Sequence, residues 1–251
     1  MDLGIAGRRA AVAAGSGGLG LASARALVTD GVHVAICGRD PNRLAAAVAE
    51  LEALGGTAHG IVADVATVTG ATGFAVEADA ALGGIDILVT NAGGPPVGGF
   101  ATTDMAAYGP ALEGNLLATV ALCQAAVPAM QAQHWGRVVA ITSVSVRQPI
   151  GGLILSNTAR AGVTGFLKTA AMEVAGDGVT VNSVQPGSHA TDRLRSLYGN
   201  DLSGVGAAVP TGEVGRPDDF GAVVAFLCSD QARFITGAAV PVDGGAYKGL
   251  Q

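Results

Sequence analysis

The sequence predicts an α/β fold, a single domain built on a doubly wound parallel sheet with helices on both faces. Three observations carry this expectation. Short apolar runs alternate with longer helix-like segments along nearly the whole chain. The runs are continuously apolar, as strands covered on both faces tend to be. No linker, charge run or short-period repeat divides the 251 residues. Repeated strand-helix-strand units with right-handed crossovers build such a sheet, and a chain of this length holds an ample core.

The elements follow in order. Residues 10–14 form a short apolar run ending in glycines, 19–30 read as a helix and 32–37 as a second strand. A helix over about 41–54, a strand over 58–62, a helix to about 82 and a strand over 85–90 continue the alternation. Then come a long helical region over 105–133, a strand over 137–142, a helix over about 156–175 and a strand over 179–184. Residues 188–215 are irregular and too long for an ordinary connection, so a lid or substrate loop is expected there.

Composition narrows the function. A formal charge of −6 and a pI near 5.1 leave no basic footprint for nucleic acid. Small molecules or copies of the same chain are the expected partners. Cys37, Cys123 and Cys228 are odd in number, far apart and without metal-ligand spacing. They read as reduced core thiols, with neither a disulfide framework nor a metal site. The first ten residues include Asp2, Arg8 and Arg9 and lack the apolar stretch of a signal peptide. No uninterrupted apolar run is long enough to span a bilayer. The expectation is a soluble, cytoplasmic protein.

The first chemical motif is Gly15-Ser16-Gly17-Gly18-Leu19-Gly20, between the first strand and the first helix. Among 39 glycines the pattern alone would be weak, and its setting is what makes it informative. Glycines let the backbone turn tightly and approach a pyrophosphate, while the helix offers free N–H groups and the positive end of its dipole. The second strand ends Cys37-Gly38-Arg39-Asp40. A guanidinium there pairs with a ribose 2′-phosphate, whereas a carboxylate at the strand end would accept from a 2′-hydroxyl. Arg39 therefore favours NADP (as NADPH) over NAD, with Asp40 as a carboxylate that could turn inward or neutralise it.

With these residues the chain resembles the short-chain dehydrogenase/reductase family, in its 3-oxoacyl-ACP reductase-like branch, over nearly its whole length. Asp64-Val65 resembles the family's adenine-contacting pair, and Asn91-Ala92-Gly93-Gly94 its Asn-Ala-Gly signature. Asn115 stands where the family has a helix Asn that helps hold a relay water, and Ser143 where it has the catalytic Ser. Pro186-Gly187 and Thr191 resemble the loop over nicotinamide. Gly215-Arg216-Pro217 and Val242-Asp243-Gly244-Gly245 resemble its C-terminal signatures. The resemblance implies a single-domain Rossmann fold with seven parallel strands, a nicotinamide cofactor, and a homodimer or homotetramer paired through the helices around Asn115 and after Ser156.

Two departures stand out. The family's glycine motif starts Thr-Gly, and here Ala13 and Ala14 take those places, so Gly15 is expected to restore the tight turn one residue later. Further on, thirteen positions after Ser143, the chain reads Ser156-Asn157-Thr158-Ala159-Arg160. The resemblance implies Tyr at 156 and Lys at 160. A Tyr hydroxyl starts near a pKa of about 10, within reach of tuning. A Ser hydroxyl lies roughly five units higher, on the order of 7 kcal/mol against its anion. Arg160 shares a helix face with Ser156 and can hold a ribose or an oxyanion, but it does not shuttle protons as Lys does.

The expected catalytic set is thus Asn115, Ser143, Ser156 and Arg160. Losing a general acid removes about two to four powers of ten, which leaves room for a slow reductase. The leading expectation is NADPH-dependent reduction of a small carbonyl compound. A non-redox isomerase, dehydratase or cyclase on the same fold, or a silent NADP-binding subunit, are the alternatives. His189 and Tyr198, in the irregular segment, are candidate replacements for the missing proton donor, and Arg147 is a candidate for holding an anionic or carbonyl substrate.

Overall fold

Residues 2–250 are described by a computed structural model. The chain runs β1 (Arg9–Val12), α1 (Gly18–Thr29), β2 (His33–Gly38), α2 (Pro41–Ala53), β3 (Ala58–Val62), α3 (Val68–Leu82) and β4 (Ile87–Thr90). It continues through α4 (Tyr108–Leu112), α5 (Ala118–Ala132), β5 (Gly136–Ile141), α6 (Ile154–Val174) and β6 (Val179–Pro186). The last part holds α7 (Asp192–Tyr198), α8 (Ser203–Ala207), α9 (Pro217–Leu227) and β7 (Ala239–Val242).

Local chemistry sets several of these boundaries. Asp40 opens α2 by accepting from the backbone N–H groups of Asn42 and Arg43, with Pro41 as the first helical residue. Thr67 caps α3 in the same way through the Gly70 N–H, and Gly83, in the left-handed region at φ 72°, ends it. The expected elements are present, with boundaries displaced by one to two residues. β1 stops at Val12 because the chain turns at Ala14, where φ is +48°. α6 starts at Ile154, so Ser156 lies inside its first turn.

Seven parallel strands stand in the order β3-β2-β1-β4-β5-β6-β7. The order reverses beside β1, which pairs with β2 on one side and β4 on the other. In open α/β sheets that reversal opens a crevice at the carboxyl ends of the strands. One apolar core lies between the sheet and α3, α5 and α6, with Phe74, Leu122, Met130 and Leu167 among its large residues. The other lies beneath α1, α2 and α9, with Leu27, Leu51, Phe220 and Leu227. Burying both faces explains the continuously apolar strands. The three cysteines are free and buried, and burial pushes each thiol up to about 12.

The long helical region expected over 105–133 is present, and one other expectation is corrected. The stretch 105–132 is helical throughout, with a π turn over Glu113–Leu117 joining α4 to α5. Length and composition alone make Met105–Ala132 sufficient for a membrane span. Pro110, Glu113, Asn115 and Pro128 interrupt its apolar run, and the helix runs through them. Its buried residues Ala118, Leu122, Cys123, Ala126 and Met130 belong to the sheet's core. The correction concerns 188–215, which is not irregular throughout but carries α7 and α8. Its ends meet: the Gly215 N–H donates to the Ser188 carbonyl and the Ala190 N–H to the Gly215 carbonyl, each at 2.9 Å.

Candidate active site

The site begins where β1 ends. The Ala13 N–H donates to the Val89 carbonyl on β4 at 2.9 Å, and the next residue, Ala14, takes the left-handed conformation. The expectation that Gly15 supplies the tight turn is therefore corrected. Ala14 makes the turn itself, at a steric cost of roughly 1–2 kcal/mol for a residue with a Cβ. Gly15 has a different duty, because a Cβ there would lie 2.8 Å from the Ile36 Cβ on β2. Gly18 has φ 55°, and a Cβ on Gly20 would run into the Ala14 carbonyl oxygen, so α1 starts directly on the turn. Ser16 and Gly17 are part-exposed beside it, and Leu19 packs against the α1 core. The free N–H groups at the start of α1 face this turn, where an anion is favoured.

Around the turn stand the other residues expected to meet a nucleotide. Asp40 neither turns inward nor neutralises Arg39, since its carboxylate caps α2. The Arg39 side chain is 77% exposed, with Asp64 3.9 Å away. Val65 is buried in the core behind Asp64. Asn91, which leads into Ala92 and Gly93, has its amide nitrogen 3.0 Å from the Cβ position of Gly20. On the far side of the crevice, Pro186 ends β6 and the Gly187 N–H donates to the Val242 carbonyl at 3.0 Å. Thr191 caps α7 through the Leu194 N–H and lies 3.7 Å from the Cβ position of Gly18. The glycine turn and the start of 188–215 therefore face each other.

Deeper in the crevice, α6 packs against the π turn that carries Asn115 and against the 3-10 turn that follows Ser143. The approach is close: a Cβ on Gly162 would lie 3.1 Å from Leu116 Cδ2. Asn115 is buried, donates to the Ala111 carbonyl at 3.4 Å, and leaves its Oδ1 without a protein partner among the described residues. Ser143 Oγ accepts from the Ser145 N–H at 3.1 Å. Ser156 and Arg160 are each 9% exposed and one helical turn apart. Arg160 Nη1 donates to the Ile141 carbonyl at 3.3 Å, at the end of β5 and two residues before Ser143. Burial pulls the guanidinium down to about 10, so it stays charged at neutral pH.

The arrangement matches known proteins along its whole length. The family model described as Enoyl-(Acyl carrier protein) reductase matches residues 13–247. The chain belongs to the short-chain dehydrogenase/reductase family. Nodulation protein G of Azospirillum brasilense is 35% identical to this short-chain dehydrogenase/reductase over 237 residues, 94% of this chain and 96% of that protein. The 3-oxoacyl-(acyl-carrier-protein) reductase FabG of Escherichia coli (strain K12) is 34% identical over 241 residues, covering 96% and 98%. Among solved structures, L-sorbose reductase of Gluconobacter frateurii, complexed with NADPH and L-sorbose, superposes with a TM-score of 0.92 at 31% identity, each chain covered fully.

The remaining candidates of this short-chain dehydrogenase/reductase are placed as follows. His189 is buried, its ring edge-on to Phe220 at 5.2 Å and its Nδ1 3.3 Å from the Gly187 carbonyl oxygen. It lines a cavity of about 200 Å³ with Glu213, Arg216, Asp219 and Asp243, and none of Ser143, Ser156 or Arg160 lines it. Tyr198 is exposed on α7. Arg147 donates to the Ala239 carbonyl at 2.6 Å and lies over the Tyr247 ring, which ties it to β7 and the C-terminal segment. Sequence reasoning missed Gln185 on β6, fully buried with neither amide atom bonded among the described residues. The sequence offers no signal that singles it out, because β6 also carries Thr180, Asn182 and Ser183. It also missed Arg43, which nothing in the sequence distinguishes from a surface charge.

Proposed function

We propose that this chain is an NADPH-dependent reductase of a small carbonyl compound with a non-standard proton supply. The observation that carries the reading is Arg160, a buried guanidinium with one hydrogen bond and no carboxylate partner among the described residues. A ribose hydroxyl or a carbonyl oxygen gaining negative charge gives such a cation its partner in a site that excludes water. The glycine turn at the start of α1 fits a pyrophosphate, and Arg39 fits a 2′-phosphate, which favours NADP over NAD. Solved relatives complexed with NADPH, among them L-sorbose reductase, support the same choice.

When bound, NADPH supplies the hydride. The chain's own residues position and polarise. Gly15, Ser16, Gly17, Gly18, Leu19 and Gly20 hold the pyrophosphate, Asp64 and Val65 the adenine, and Asn91, Ala92 and Gly93 line the way to the nicotinamide. Pro186, Gly187 and Thr191 cover it, with 188–215 as the lid. Ser143 and Ser156 donate hydrogen bonds to the carbonyl oxygen, and Arg160 stabilises the developing charge. Asn115 Oδ1, without a protein partner among the described residues, would orient a water that relays a proton from bulk solvent to the carbonyl oxygen, a role for which Ser156 is too weak an acid. The protein works as a cytoplasmic homodimer or homotetramer through α5 and α6.

The test follows the nicotinamide absorbance during incubation of NADPH with a broad panel of ketones and quinones. Slow, cofactor-dependent oxidation with at least one of them is expected. No oxidation across the panel overturns the reading, and substrate conversion without an absorbance change would make the chain a non-redox enzyme.

A further inference from the structure

The glycine turn has a cationic neighbour that is no part of the family signatures named above. Arg43 stands in the first turn of α2, its N–H held by the Asp40 cap at 3.1 Å. Its side chain reaches back over the turn, so that a Cβ on Gly17 would lie 2.9 Å from Arg43 Nη2. The guanidinium therefore occupies the space that a side chain at position 17 would fill. The same Nη2 donates to Asp192 Oδ2 at 2.9 Å. Asp192 opens α7 directly after Thr191, which itself faces Gly18. Arg43 thus bridges the glycine turn and the segment 188–215 at the mouth of the phosphate site, and the Asp192 oxygen marks a place where an anion is held against it.

We propose that Arg43 is a ligand of a cofactor phosphate, and that Asp192 occupies its guanidinium when no cofactor is bound. Cofactor entry then exchanges a carboxylate for a phosphate and releases α7 from α2. The inference rests on the nicotinamide-cofactor reading above. A phosphate is the fitting occupant, because it offers the planar fork two acceptors, and a 2′-phosphomonoester also carries more charge than a carboxylate. The start of α1, on the same turn, has no acidic side chain in its first turn to compete. The ion pair being replaced is exposed on both sides, 58% and 77%, and such pairs are weak.

The experiment is a fluorescence titration of the full chain with NADPH and with NADH, for the parent, Arg43→Gln, Asp192→Asn and the double variant. Circular dichroism confirms that each is folded. Arg43→Gln is expected to weaken binding about tenfold or more. A loss confined to NADPH assigns the 2′-phosphate, and an equal loss for both nucleotides assigns the pyrophosphate. Asp192→Asn is expected to tighten binding about two- to fivefold, and only when Arg43 is present. Unchanged affinities in Arg43→Gln overturn the proposal while leaving the cofactor reading in place. Tightening by Asp192→Asn that persists without Arg43, or no tightening at all, overturns the exchange. A parent that binds neither nucleotide overturns both this proposal and the cofactor reading.

Discussion

The guanidinium of Arg160 and the carbonyl oxygen of Ile141 are joined at 3.3 Å, and among the described residues this is the only hydrogen bond the guanidinium makes. A buried charge so sparsely compensated is expensive to fold around. Replacing it with an apolar side chain of similar length should relieve that expense. Arg160→Met is expected to raise stability by about 1–3 kcal/mol in urea unfolding and to abolish turnover. A loss of stability would mean that the charge is needed to build the fold.

Restoring the pair implied by the family should restore the chemistry. Ser156→Tyr with Arg160→Lys is expected to raise kcat by about two powers of ten or more over the parent, with each single variant gaining less. Steady-state rates at saturating NADPH decide it. A double variant no faster than the parent would place the limiting step away from proton transfer.

The turn after β1 yields a pair of stability predictions of opposite sign. Ala14→Gly removes the Cβ from a residue at φ +48° and should stabilise by about 1 kcal/mol. Gly15→Ala would set a Cβ 2.8 Å from that of Ile36 and should destabilise by about 1–3 kcal/mol. Thermal and urea midpoints read both.

His189 should make stability fall in mild acid. Burial lowers its pKa below 6.5, although the Gly187 carbonyl and the charges of Asp219 and Asp243 act in the opposite direction. The folded chain thus binds the proton less readily than the unfolded one. Its contribution is complete above the unfolded value and is lost as the pH falls through the folded one. Thermal midpoints from about pH 8 to about pH 5 should drop less in His189→Gln than in the parent.

Gln185 offers a test of an unpaired amide. Gln185→Met keeps the volume and removes both unbonded polar atoms, so a gain of about 1–2 kcal/mol is expected in urea unfolding. A loss would show that the amide is satisfied in solution.

Most of the architecture was legible because it rests on local pattern. Residues 58–62 and 179–184 read as strands, and 41–54 as a helix, from their local pattern. Positions decided by packing were not legible. Whether Ala14 or Gly15 makes the turn depends on Ile36, a residue of the neighbouring strand. The question of Asp40 against Arg39 turned on a helix cap. The placement of His189 behind Phe220, in a cavity separate from Ser156, depends on α9, more than twenty residues further along the chain. Of the chemical centre, the residue types were readable, but that Arg160 is buried with a single backbone acceptor was not.

The paired hydrogen bonds between 188–190 and Gly215 close a neck, so that α7 and α8 leave and return through one point of the scaffold. Neither the sheet register nor either core depends on how many residues hang beyond that neck. The segment is therefore a transplantable module: exchanging the residues between Ala190 and Gly215 for those of a relative should move substrate preference while the sheet keeps its folding cooperativity.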